Sequence, residues 1–326
     1  MTGPGSAPAA GAAPWLVADI GATHARFAEA GDGGLVGPPL LLRTGDFATQ
    51  EALLARVLEW SGAGRPDAAC LAIAGPVENG RGRITNGSLT FDTGVLSAAL
   101  GCPVHLINDF QALARGLPEL GELRRIGGGQ PADGGLKAVL GPGSGLGMSM
   151  LMPLDGGWRV LPSEGGHADL APGNPLEMEL LGILEGGRGH VCWEDVLSGP
   201  GLVRLYQAVG RLWGGEVEPV APEWITARGI TAEEPICHQT LEVFCGLLGS
   251  AAGNLALTTW ATGGVYLGGG ILPAMADFLA DSPLRRRFEE RGAMSARFRE
   301  VPLYLILDPA PGLVGARAWL ADLASA

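Results

Sequence analysis

Three glycine-rich segments, each entered from a short apolar run, hold the residues of this chain best suited to chemistry: Asp19-Ile-Gly-Ala-Thr-His-Ala-Arg26, Gly141-Pro-Gly-Ser-Gly-Leu-Gly147 and Gly263-Gly-Val-Tyr-Leu-Gly-Gly-Gly270. A backbone without side chains can approach phosphate oxygens closely, and successive N–H groups in such turns form an anion-binding concavity. An Asn108-Asp109 pair and a Glu164-Gly-Gly-His167 turn lie among them. Together they point to phosphoryl transfer onto a hydroxylated acceptor, which needs a base, groups that hold the acceptor and a cradle for developing charge. Asp109, with an ordinary carboxylate pKa, is ionised at neutral pH and can take a hydroxyl proton; the other reading is an N-cap for a helix over 110–116. Asn108 offers both donor and acceptor, or stabilises a turn. Glu164 and His167 flank two glycines, so a tight turn would aim a carboxylate and an imidazole into one pocket. Asn86, in Ile84-Thr-Asn-Gly87, and the Gly75-Pro76 turn either close over the acceptor or form simple β-turns.

Gly143, Ser144 and Gly145 would present backbone N–H groups to the phosphates, and Gly268, Gly269 and Gly270 would lie against a nucleoside; the alternative for either is a crowded turn where only glycine fits. No G-x-x-x-x-G-K-[ST] sequence occurs, and Gly141–Gly147 lacks the acidic residue of a dinucleotide-binding fingerprint. His167, Asp169, His190 and Cys192 show neither H-E-x-x-H nor paired-cysteine spacing, so no protein-held metal is expected.

The elements that must position these groups follow from periodicity. Trp15–Ile20, the first glycine turn and Arg26–Ala30 predict a hairpin with phosphate at its tip. Leu53, Leu54, Val57 and Leu58 predict an amphipathic helix between Asp46 and Trp60, with Gly62 and Gly64 as stop signals. Cys70–Ala74 and Val104–Ile107 read as buried parallel strands, whose carboxyl ends are where open α/β sheets place ligands. Lys137–Leu140 and Ser149–Leu154 predict a second hairpin opening a second sheet. Helical spacing marks Pro175–Leu184, Glu194–Trp213 and a long core helix over Pro235–Trp260, which Gly263–Gly270 breaks; Pro302–Leu307 reads as a strand and Gly312–Leu323 as a final helix. The recurrence of strand, glycine turn and strand predicts two related halves with ligands at their interface.

With 326 residues and 47% apolar content the chain has room for one large or two medium domains. A net charge of −12 and a pI near 4.9 argue against nucleic-acid partners. Arg285-Arg286-Arg287, the densest basic cluster, adjoins Glu289 and Glu290 and reads as a solvated helix face. Five widely spaced cysteines without a C-x-x-C read as buried free thiols of a reducing cytosol. Residues 1–14 lack the basic start and apolar core of a signal peptide and are expected to be a disordered tail; no membrane span is expected.

Seven segments in order, Leu16–Arg26, Ala72-Ile-Ala-Gly-Pro76, Ile107-Asn-Asp-Phe110, Gly141–Gly147, Glu164-Gly-Gly-His-Ala-Asp169, Val196-Leu-Ser-Gly-Pro-Gly201 and Gly263–Gly270, resemble the bacterial glucokinases that lack a zinc-binding cysteine cluster, within the hexokinase, actin and Hsp70 fold superfamily. The resemblance covers nearly everything after residue 14. It implies an α/β, two-lobed actin-like ATPase (ribonuclease H-like) fold with a ligand cleft between lobes: a small domain of residues 15–118 plus 309–326 and a large domain of 119–308. It implies transfer of the γ-phosphoryl of ATP to the 6-hydroxyl of D-glucose, the first step of glycolysis, by a cytoplasmic homodimer with Asp109 as base. Asn86, Asn108, Asp109, Glu164, His167 and Glu194 would hold the sugar, Glu194 otherwise being a first-turn acid favoured by the helix dipole. Asp19, Gly21, Ala22, Thr23 and His24 would face the nucleotide. Mg²⁺ would arrive with it, nearest to Asp19, which otherwise reads as a hairpin-turn acid. The alternatives are a kinase for another hexose and a sugar-binding regulator without turnover. The family usually reads Gly-Gly-Thr-Asn where this chain has Gly21-Ala22-Thr23-His24; if the backbone there needs positive φ, Ala22 carries about 1 kcal/mol of strain.

Overall fold

The structure, a computed structural model, describes residues 15–61, 65–187 and 189–325. The tail expected over residues 1–14 and the stop signals Gly62 and Gly64 lie outside the described residues. The chain forms two compact units, one of residues 15–112 with 312–325 and the other Leu113–Pro311. Both are mixed α/β.

In the first unit β1 (Trp15–Ile20), β2 (His24–Gly31) and β3 (Gly34–Arg43) make an antiparallel meander. β4 (Ala69–Ile73) pairs parallel to β1, a separate small antiparallel sheet contains β5 (Val77–Glu78), β6 (Arg81–Arg83) and β7 (Thr90–Asp92), and β8 (Val104–Asn108) pairs parallel to β4. The main sheet runs β3-β2-β1-β4-β8. All five residues of β4 are buried, which explains its unbroken apolar run. The meander's third strand is not visible in the sequence because Pro38 and Pro39 read as breakers; as an edge strand β3 tolerates them. Helix α1 (Gln50–Ser61) buries Leu53, Leu54 and Val57 but leaves Leu58 exposed. Helix α2 (Thr93–Leu100) is capped by the Asp92 side chain and ended by left-handed Gly101. Helix α3 (Asp109–Gly116) follows β8 directly. The C-terminal helix Pro311–Ser325 packs through glycines: a Cβ on Gly312 would lie 2.7 Å from the Asp19 carboxyl carbon, and one on Gly315 would collide with the Ala112 carbonyl.

The second unit contains β9 (Leu123–Gly127), β10 (Lys137–Pro142), β11 (Leu146–Leu154), β12 (Gly157–Ser163), β13 (Val265–Leu267) and β14 (Leu303–Ile306), in the order β12-β11-β10-β13-β14-β9. An antiparallel meander again leads into parallel strands, β10 with β13 and β13 with β14. The recurrence expected from the sequence is therefore one strand order used twice. Two glycine segments are narrower than expected. Gly141, Pro142, Leu146 and Gly147 belong to strands, leaving a turn of Gly143–Gly145. Gly263–Gly270 encloses the buried strand β13 and is not a single turn.

Helix α4 (Pro175–Glu185) is capped by Asn174. The single helix expected over Glu194–Trp213 is instead a 3-10 turn, Trp193–Asp195, followed by α5 (Gly199–Leu212). Ser198 divides them by capping the Gly201 N–H, and Pro200 suits only a first helical turn. Helices α6 (Pro222–Ile230) and α7 (Pro235–Thr259) follow. Among the described residues α7 alone is long and apolar enough to cross a membrane, but 83% of its most apolar window is buried inside this unit, so packing accounts for its composition.

The arginine cluster is not the solvated face that its acidic neighbours suggest. On the helix Leu284–Glu289, Arg287 is buried and donates to both oxygens of buried Glu177 on α4, at 2.9 and 3.0 Å, and to Ser250 Oγ on α7. Arg285 is also largely covered, pairing with Glu289 at 2.6 Å, and only Arg286 projects into solvent. All five cysteines are free and buried.

Candidate active site

In the first unit the site is built where β8 passes into α3. Asn108 Oδ1 accepts from the N–H groups of Phe110 (2.9 Å) and Gln111 (3.2 Å), while the Asn108 N–H donates to Gln111 Oε1 at 3.4 Å. This is a reciprocal capping box, and the Asn-x-x-Gln spacing was there to be found. The cap considered for Asp109 is thus supplied by Asn108. Asp109 is left to accept at Oδ1 from Phe110 N–H (3.0 Å) and from Asn108 Nδ2 (2.9 Å). Asn108 Nδ2 also donates to the Gly75 carbonyl at 3.2 Å.

Burial, with the nearby Asp19 charge second, pushes the Asp109 carboxyl up to about 7 against the lowering effect of its hydrogen bonds. The expectation of an ordinary, fully ionised Asp109 at neutral pH is corrected accordingly. Asp19 lies on β1 opposite Arg26, 3.8 Å from its guanidinium, and is not a hairpin-turn acid. Burial raises its pKa and Arg26 lowers it by less.

The first glycine turn is closed by Gly21 N–H on the His24 carbonyl (2.9 Å). It is held from outside by Thr44, whose hydroxyl donates to the Gly21 carbonyl (2.8 Å) and whose N–H donates to the Thr23 carbonyl (3.0 Å). Nothing in the sequence marks Thr44 for this role; its partners lie about twenty residues away. The described non-glycine residues with positive φ are Asn79, Ala232 and Trp260, so Ala22 carries no left-handed strain. His24 begins β2 and is exposed. Asn86 lies in a β-turn closed by Gly87 N–H on the Ile84 carbonyl, and Thr85 N–H ties that turn to Ala74. The structure therefore brings the Asn86 turn, Gly75, Asn108 and Asp109 into one connected group.

In the second unit the Gly143–Gly145 turn is the hub. Gly143 N–H bonds the Gly145 carbonyl (2.8 Å), with Ser144 exposed at the tip. Gly199 N–H donates to the Gly143 carbonyl (2.8 Å), and Glu194 Oε2 accepts from Leu146 N–H (2.8 Å). Glu194 is therefore no first-turn helical acid; it sits in the 3-10 turn against the glycine turn. A Cβ on Gly269 (φ +90°) would collide with the Pro142 carbonyl, and a Cβ on Gly166 with the Leu146 carbonyl. Gly268–Gly270 and the Glu164–His167 turn thus both pack beside the hub. Glu164 and His167 are exposed, with Oε2 and Nε2 3.9 Å apart.

His190 pairs with Asp169 at 2.9 Å, and among the described residues no group of three or more His, Cys, Asp or Glu gathers to hold an ion. A concavity of about 950 Å³ runs along β6 and β7; Pro76 of the Gly75-Pro76 turn lines it, and none of the other predicted site residues does.

A part-buried carboxyl just past a strand end and glycine turns with backbone donors, on two α/β units of one strand order, define the class of phosphoryl-transferring kinases. A family model described as Glucokinase matches residues 16–323. A glucokinase of Chromobacterium violaceum is 44% identical over 312 residues, covering 95% of this chain and 90% of that one. The crystal structure of a glucokinase from an Antarctic psychrotroph superposes with a TM-score of 0.84 at 36% identity, covering 95% and 99% of the two chains. The fold extends to a ROK family glucokinase from Streptomyces griseus, solved in complex with glucose and AMPPNP, at a TM-score of 0.64 and 20% identity over 95% of this chain and 98% of that one. This chain belongs to the glucokinase family.

Proposed function

We propose that this chain transfers the γ-phosphoryl group of ATP to the 6-hydroxyl of D-glucose, giving glucose 6-phosphate and ADP, with Asp109 as the base. The observation that carries this reading is the Asp109 carboxyl itself, oriented by Asn108 Nδ2 and Phe110 N–H with a proton affinity near neutrality. Its carboxylate takes the 6-hydroxyl proton as the sugar oxygen bonds to the γ-phosphorus and the bond from that phosphorus to the ADP oxygen breaks. Asn86, Asn108, Glu164, His167 and Glu194 hold the sugar, carboxylates being suited to accept two hydroxyl hydrogens each. Gly143, Ser144 and Gly145 offer backbone N–H groups to the phosphates, Gly21, Ala22, Thr23 and His24 line the other phosphate-facing turn, and Gly268, Gly269 and Gly270 lie toward the nucleoside.

The donor set fits a nucleotide-borne Mg²⁺: Asp19 is a part-buried carboxylate, its side chain 22% exposed, only partly compensated by Arg26, and the ion would neutralise phosphate charge beside it. We read the two units as the lobes of an actin-like ATPase (ribonuclease H-like) fold. We read it further, on its family membership, as a cytoplasmic homodimer acting at the first step of glycolysis.

The test is ADP release from Mg-ATP with glucose, mannose, fructose or no sugar. Turnover stimulated by glucose above the other hexoses is expected. Preference for another hexose would reassign the acceptor, and tight glucose binding with no sugar-dependent release would favour a regulator. At the first turn, His24→Asn is expected to change KM for ATP about threefold or more and KM for glucose by less than about twofold, a difference below roughly 1 kcal/mol. A shift confined to glucose would remove His24 from the nucleotide side.

A further inference from the structure

The segment from Trp193 to Gly199 grips the Gly143–Gly145 turn at both ends. At one end Gly199 N–H holds the Gly143 carbonyl, and at the other Glu194 Oε2 holds Leu146 N–H, each at 2.8 Å. The backbone that carries the grip is itself anchored. Trp193 is buried, and its N–H donates to the Ala168 carbonyl at 3.0 Å. Asp195 accepts from Cys192 N–H at 3.0 Å and pairs with Arg204 on α5 at 3.3 Å. A Cβ on Gly145 would collide with Glu194 Oε2, so the turn is shaped around this carboxylate. A carboxylate accepts at both oxygens, and the bond to Leu146 occupies only Oε2.

We propose that Glu194 is a positioning residue for the phosphate-facing turn as well as a sugar ligand, so that one side chain couples acceptor occupancy to nucleotide affinity. The coupling rests on the functional reading given above. A sugar hydroxyl on Oε1 fixes the rotamer in which Oε2 holds Leu146 N–H, and the turn is then already ordered when the nucleotide arrives. By linkage the nucleotide must tighten sugar binding by the same factor, and such couplings are typically about 5- to 150-fold.

Binding of AMPPNP with Mg²⁺ is measured by calorimetry with and without saturating glucose, alongside hydrogen exchange at the Leu146 amide. In the wild-type chain glucose tightens the nucleotide about fivefold or more. Glu194→Ala weakens the nucleotide by about the same factor even without glucose, abolishes the coupling and speeds exchange at Leu146. Glu194→Gln, whose amide oxygen still reaches Leu146 N–H, keeps sugar-free nucleotide affinity within about twofold of wild type and weakens glucose.

Gly145→Ala, with fold verified by its circular dichroism, displaces the carboxylate and weakens glucose about tenfold with no nucleotide present, an effect that a turn touching phosphate alone would not have. Sugar-free nucleotide affinity and Leu146 exchange both unchanged in Glu194→Ala would overturn the positioning role. Wild-type protein that binds neither ligand would overturn the functional reading instead, and Leu146 exchange would still decide whether Glu194 holds the turn.

Discussion

Asp109→Ala is expected to lower kcat by roughly 100- to 10,000-fold while leaving glucose binding and the fold largely intact, as removal of a general base does. Nearly full turnover in the mutant would end the assignment. The pH dependence has a definite sign. Only the ionised carboxyl accepts a proton, and burial with the Asp19 charge holds its pKa at about 7. Activity should therefore rise with pH through 7 and, below it, fall about tenfold per pH unit.

Stability should move the other way. A carboxyl whose folded pKa is raised binds its proton more tightly in the folded chain, so stability is lost as pH rises from the usual carboxylate range to about 7. Asp109→Asn keeps an acceptor for Phe110 N–H and removes the charge. It should be more thermally stable than wild type at pH 8, by an amount on the order of a few kcal/mol, with little difference at pH 4. The proposed base is then also a local destabilising group, as is common at active sites.

Glu177→Ala is expected to destabilise the chain by about 3–5 kcal/mol in urea unfolding, the cost of leaving a buried partner charge uncompensated. Arg287 would keep only Ser250 Oγ as a side-chain acceptor, besides the distant Glu290 at 3.9 Å. Arg286→Ala, one residue away and exposed, should change stability by less than about 0.5 kcal/mol. Equal effects at the two sites would mean that the pair carries no special share of stability.

The two arginines show where sequence reading stops. Arg286 and Arg287 are adjacent, with Glu289 and Glu290 just beyond both, and local pattern gives both the same solvated face. What separates them is Glu177, 110 residues away, and no periodicity reports a partner at that distance. Thr44 at the Gly21 turn escapes notice for the same reason. The central strands were legible because double-sided burial writes an unbroken apolar run, as in Cys70–Ile73. Strands β5 to β7, two or three residues each, are too short to show alternation. At the site, residue types were legible but states were not. Asp109 was recognisable as a candidate base, yet its proton affinity depends on burial first and on Asp19 second, and both come only with the fold. Glu194 looked like a helical acid until Ser198 and Pro200 placed the helix start beyond it.

The cysteines have a practical meaning. A thiol reacts with alkylating agents and oxidants as its thiolate, and burial pushes Cys237 up to about 11 and Cys245 up to about 12, with Cys70 raised further and Cys102 and Cys192 raised as well. The described chain therefore presents no ready nucleophilic sulfur to iodoacetamide or peroxide. On the proposed reading, phosphoryl transfer by carboxylates and backbone amides needs no reduced thiol.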